Sequence, residues 1–187
     1  SDRKGKGMSI QEEIKKVKLS SPRMAASTEE MRNKALQMVS DALLAHQDEI
    51  FAANREDMEQ AAKDGVAAPI LKRLKFDEGK LRDVVAGIGD LVHMEDPLFR
   101  TQFARELDEG LVLKRVTCPI GVIGVIFEAR PDALVQISAL CIKSGNCVIL
   151  KGGSEAFEAI KSCLILFTER PGRQAAGALH DAAGGAV

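Results

Sequence analysis

The chain has 187 residues, 45% hydrophobic and 28% charged, with 26 basic side chains against 27 acidic ones. That length suffices for one large domain or two small ones without covalent staples, and the apolar fraction excludes disorder throughout. Balanced charge argues against general nucleic-acid binding, as do seven Phe with no Tyr or Trp, and no apolar run approaches the roughly 20 residues that span a bilayer.

Residues 1–8 read as a flexible leader ahead of a natural Met8. The stretch 9–99 reads as helical. Ser27-Thr-Glu-Glu30 has the spacing of a capping box, with Ser27 expected to accept from the first-turn amides and Glu30 to reach back. Met31, Ala35, Met38, Val39, Ala42 and Leu43 then recur at helical spacing, and a second helix is expected from Asp48 to Lys63, ended by Gly65. Pro69 suits the first turn of a short helix through Leu74, and Asp77 can cap another that runs through Leu91 and stops before Asp96-Pro97. Residues 100–117 read as a β-hairpin, Phe103–Leu107 and Leu111–Val116 around Asp108-Glu-Gly110. Such a hairpin is either an oligomerisation arm or a plain surface feature.

From 118 to 169 the pattern becomes β-α-β-α. Gly121–Phe127 is a nearly continuous apolar run, expected to be a strand buried on both faces of a parallel sheet. Pro131 can open the next helix, Gly145 can end it, and Cys147–Leu150 is the second strand. Ser154 can cap a helix from Glu155 to about Phe167, and 170–187 is an irregular tail rich in glycine and alanine. The fold class is therefore α/β: N-terminal helices, a hairpin arm, then the start of a parallel Rossmann-like sheet.

Cys118, Cys141, Cys147 and Cys163 form no CxxC pair and read as small buried hydrophobes in a reducing compartment; no secretory leader precedes them, and a cytoplasmic location is expected. His46, His93 and His180 lack the spacing of metal ligands, so no metal is expected.

Ligands of parallel sheets bind at the carboxyl ends of the strands. Here those ends are Phe127-Glu-Ala-Arg130 and Lys151-Gly-Gly-Ser154. The second pairs a cation with two glycines and a capped helix start, which suits a phosphate or ribose; a tight turn with a solvated lysine is the competing reading. Arg130 offers a planar fork for a carboxylate or phosphate, unless it is spent on an internal pair with Glu128 or Asp132.

The segments Cys118-Pro-Ile-Gly-Val-Ile-Gly-Val-Ile-Phe-Glu-Ala-Arg-Pro-Asp132 and Ser144-Gly-Asn-Cys-Val-Ile-Leu-Lys-Gly-Gly-Ser-Glu-Ala156 resemble the γ-glutamyl phosphate reductase branch of the aldehyde dehydrogenase superfamily. Ala67–Leu74 and Met94-Glu-Asp-Pro97 are similar to it as well, and the likeness runs from about Ile10 to Ala156. The resemblance implies an aldehyde dehydrogenase-type fold and NADPH-dependent reduction of L-glutamyl 5-phosphate to L-glutamate 5-semialdehyde, with release of phosphate, in proline biosynthesis. It implies cofactor binding by Lys151, Gly153 and Ser154; Arg130 is inferred from its charge and place to take the acidic substrate. Ala129 stands where ordinary aldehyde dehydrogenases have an oxyanion-stabilising asparagine, so oxyanion donors would come from backbone or elsewhere. A homo-oligomer and a glutamate 5-kinase are the partners it suggests. The family's nucleophilic cysteine lies in a motif beyond residue 187 that none of the four cysteines matches, so the catalytic residue is unassigned and this chain is expected to be the family's N-terminal portion, inactive alone. A non-catalytic nucleotide-binding or assembly module on the same fold is the alternative.

Overall fold

Short polar side chains set where the N-terminal helices begin. The computed structural model describes residues 10–128 and 130–152, together with Ala159 and Cys163. Helix α1 spans Ile10–Ala25, α2 Glu29–Ala45, α3 Gln47–Lys63, α4 Ala68–Leu74 and α5 Glu78–His93. At α2 the cap is Thr28, whose hydroxyl accepts from the Met31 amide, and not the expected Ser27. Ser27 is drawn away because its own hydroxyl donates back to the Met24 carbonyl at 2.6 Å. Asp77 caps α5 as expected, accepting from the Lys80 amide at 3.1 Å. Helix α1 was not placed by the periodicity; it carries Pro22 in its last turn, and Ile14, Val17, Leu19 and the buried Met24 are scattered on a charged background.

These helices pack around Leu36, Leu43, Ile50, Leu81, Ile88 and Leu134, all nearly inaccessible to solvent. Burial on that scale supplies the main driving force of the fold. Three polar clamps hold the packing in register. Asn54 donates to the Leu74 carbonyl and accepts from the Phe76 amide, fastening the loop after α4 and setting Phe76 against Phe51 at 6.4 Å between ring centres. Arg32, 1% exposed, bonds Asp96 at 2.6 Å and the Ser27 carbonyl. Lys143, 3% exposed at its side chain, donates to the Met94 carbonyl, Asn33 and Glu29, tying α6 to the end of α5 and the start of α2. A buried charge is tolerated when paired and hydrogen-bonded; Lys143 is held at its ammonium, and Arg32 through both terminal nitrogens, with its buried Nε left unpartnered.

Strands β1 (Thr101–Asp108) and β2 (Leu111–Val116) form the antiparallel hairpin, closed at Gly110 with φ +74°. Every residue of both strands is exposed. Strand β3 (Val122–Ile126), helix α6 (Pro131–Lys143) and β4 (Cys147–Lys151) then make a parallel unit, with Val122 opposite Cys147 and Ile126 opposite Lys151. Pro131 opens α6 and Gly145 follows it in the left-handed region, both as expected. Strand β3 departs from expectation. It is only partly covered, with Ile126 79% exposed, and among the described residues β4 is its one pairing partner. The helix expected after Ser154 lies outside the described residues except for Ala159 and Cys163, both helical and buried; the leader and the tail lie outside them too. No helix among the described residues is long and apolar enough to cross a membrane.

Two outcomes test this account. Gly145 has φ +66°, and a Cβ there would sit 2.7 Å from Leu98 Cδ1 and 3.2 Å from Pro119 Cγ. Gly145→Ala is expected to lower stability by about 2 kcal/mol in urea unfolding, from left-handed strain plus crowding. The Asp77 carboxyl is held below its ordinary value of 3.8, first by its bond with the Lys75 ammonium and then by the Lys80 amide. Such a lowered group stabilises fully above the unfolded value and loses its effect as pH falls through the folded one. Asp77→Ala should therefore cost about 1 kcal/mol at neutral pH and distinctly less near pH 3.

Candidate functional site

The parallel pairing decides which loops meet. With Ile126 opposite Lys151 and the Phe127 amide donating to the Lys151 carbonyl at 3.0 Å, the two strands end level, and both following loops leave from one edge. The register is set at the far end of the same strands. Asn146 accepts from the Gly121 amide at 2.8 Å, and the Cys147 amide donates to the Gly121 carbonyl at 2.9 Å.

Lys151 stands at this carboxyl edge with its side chain exposed, and no ion pair to another described residue engages its ammonium. Gly152 follows it without a side chain to crowd the approach. Gly153 and Ser154 lie outside the described residues, as does Ala129. An exposed cation beside a glycine at a strand's carboxyl end fits an anionic group of a nucleotide.

Arg130 is the residue before α6 and sits on the same edge, its side chain 49% exposed. Of the two internal pairs open from sequence, it makes the one with Asp132, at 3.0 Å from Nη2 to Oδ2. That bond, and the carboxylate's charge, raise the guanidinium's hold on its proton. The pair does not use up Arg130, because a guanidinium carries five N–H donors in a fixed fork. The register therefore brings Lys151 and Arg130 to one edge, as the sequence implied.

Two neighbours were not legible beforehand as part of this edge. Asp132 is buried, with 7% of the residue exposed, and its Oδ1 has no hydrogen-bond partner. The cation that faces this oxygen is Lys80, 4.0 Å away on α5. Lys80 also donates to the Arg73 carbonyl at 3.0 Å and keeps 30% of its side chain exposed. Its one sequence signal is its place four residues before Val84, on the flank of the inner face of α5, which does not separate it from any solvated lysine.

The cysteines divide. Cys141 and Cys163 are buried and Cys147 partly so, whereas Cys118 is exposed, against the expectation for all four. It stands just before Pro119 at the start of β3, and no described element covers it. Burial pushes the Cys163 thiol up to about 12 and raises those of Cys141 and Cys147, which leaves little thiolate at neutral pH.

Comparison with known proteins adds to this geometry. No protein-family model matches the chain. The γ-glutamyl phosphate reductase of Acetivibrio thermocellus is 55% identical over 162 residues, which is 87% of this chain and 38% of that protein. The crystal structure of γ-glutamyl phosphate reductase from Saccharomyces cerevisiae superposes with a TM-score of 0.86 at 36% identity, over 95% of this chain and 44% of that one. A putative aldehyde dehydrogenase from Bacillus subtilis shares the fold, with a TM-score of 0.60 at 19% identity, over 84% of this chain and 33% of that one. The chain thus spans about two fifths of the length of the curated relative it matches.

Thiol accessibility checks the division of the cysteines. With iodoacetamide at neutral pH, Cys118 should be alkylated first, and Cys141 and Cys163 should react only under unfolding conditions, as read by mass spectrometry of the peptides.

Proposed function

We propose that the chain, similar in sequence and fold to part of γ-glutamyl phosphate reductase, supplies the cofactor edge of an NADPH-dependent reduction of L-glutamyl 5-phosphate to L-glutamate 5-semialdehyde, with release of phosphate. The observation that carries this reading is the level ending of β3 and β4, which sets the exposed Lys151 and Arg130 on one edge. NADPH, when bound, supplies the hydride. Lys151 would hold the phosphorylated ribose through its ammonium, with Gly153 and Ser154, just beyond it in sequence, as further cofactor-binding residues. A serine at 154 would admit a 2′-phosphate, where a carboxylate would repel it. Arg130 would bind an acidic end of the substrate with the donors that Asp132 leaves open. The nucleophilic cysteine of the reaction belongs to none of the four positions here.

The assembly reading rests on the hairpin. Phe103, Leu107, Leu111, Val112, Leu113 and Val116 are all more than two-fifths exposed, and a lone two-stranded hairpin is marginal in water. Such an arm fits an interface between copies of the protein, hence a homo-oligomer. The lability of an acyl phosphate favours a glutamate 5-kinase close by in the cytoplasm as the source of substrate.

The cofactor assignment is testable in the chain as it stands. Lys151→Ala is expected to weaken NADPH binding about tenfold, and NADH binding much less, in a fluorescence titration, because a charge-assisted contact to phosphate is lost. Equal affinities of the variant and the parent for NADPH would overturn it.

A further inference from the structure

Asp132 lies in the first turn of α6, where a carboxylate is favoured by the helix dipole, but only one of its two oxygens is hydrogen-bonded. One oxygen is engaged by Arg130 at 3.0 Å, and the other lies buried without a hydrogen bond, 4.0 Å from the Lys80 ammonium. An unsatisfied buried oxygen of this kind opposes folding, and such groups in native proteins call for an explanation. Among the other buried charges, Lys143 has three partners, whereas Arg32 pairs with Asp96 at 2.6 Å but leaves its Nε without a partner; Asp132 differs from it in lying at the candidate site with two cations beside it. Arg130 and Lys80 come from different elements, the start of α6 and the first turn of α5, and both keep part of their side chains in solvent. One carboxylate thus gathers two cations beside the carboxyl end of β3.

We infer that Asp132 is a positioning residue that holds Arg130 and Lys80 as a two-cation clamp for an oxyanion of the substrate, a carboxylate or a phosphoryl group. The inference rests on the reading of Arg130 as substrate-binding and adds Lys80 as its second cation. Asp132 orients the planar fork of Arg130 by occupying one donor, so that the remaining donors face solvent as a set. Lys80 brings a mobile point charge; its ammonium is held by the Arg73 carbonyl and reaches Asp132 at 4.0 Å, a distance that a small shift on ligand binding can change. The shared carboxylate also keeps the two cations from repelling each other before an anion arrives.

The experiment uses the 187-residue chain and follows the Arg130 Nε–H resonance by NMR during titration with inorganic phosphate, and separately with L-glutamate. Saturable shifts with either probe support the clamp, and the probe that binds more tightly identifies which end of the substrate it takes. Shifts with neither overturn it. Lys80→Gln and Asp132→Asn are each expected to weaken that binding about fivefold, the effect of one charge contact near the surface, with Lys80→Arg restoring it. Affinity for NADPH should stay unchanged in the Lys80 variants. If Arg130→Gln abolishes the response while Lys80→Gln leaves it intact, the inference falls and Arg130's role stands. If Arg130→Gln changes nothing, that role falls as well. Should Asp132→Asn fail to fold, the Lys80 pair of variants decides alone.

Discussion

The short turn between α6 and β4 is the constraint on which the rest depends. Gly145 must be left-handed, and its missing side chain is the space that Leu98 and Pro119 fill. Asn146 follows with both ends of its amide occupied, its nitrogen on Ser144 and its oxygen on the Gly121 amide. That last bond crosses from one strand to the other and allows one pairing of β3 with β4. A slip of a single residue would turn every side chain to the opposite face. It would also separate Ile126 from Lys151, and the edge that carries Lys151 and Arg130 would no longer be level.

Around this unit the helices are held by buried polar groups whose value lies more in geometry than in stability. An apolar replacement of a buried ion pair is often neutral or better for stability, whereas removing one partner is severe. Lys143 joins three helices through one ammonium, and Arg32 joins α2 to the loop before the hairpin. Leu98 in that same loop packs on Gly145, so helical layer and parallel unit share one set of contacts. Asp132 leaves an oxygen unsatisfied as Arg32 leaves its Nε, and of the two it is Asp132 that lies at the candidate site. Local rules are most often broken where a protein does its chemistry.

Most of the helical layer was legible because apolar side chains recur at the helical period and short polar residues mark the starts. Asp77, Pro69, Pro131 and Gly145 all do in the structure what their types dictate. The cap of α2 was misplaced by one residue because Ser27 and Thr28 carry equivalent hydroxyls, and only the approach of the Met24 carbonyl distinguishes them. Helix α1 escaped because most of its residues are exposed, so its packing against β4 leaves only a faint stripe. The apolar run of β3 promised burial on both faces, but composition reports what a strand can tolerate and not what covers it.

Residue type and spacing alone determined the order of elements from α2 to β4, the β-α-β connection, and the presence of a lysine and an arginine after the two strands. They did so because periodicity, capping and left-handed glycine are local effects that act within a few residues along the chain. The tertiary structure alone decided that Arg130 pairs with Asp132 and not Glu128, that Lys80 joins them from about fifty residues away, and that Cys118 is exposed while Cys163 is buried. Burial and Coulomb interaction depend on distance in space, and that distance is not set until the helices pack against the sheet.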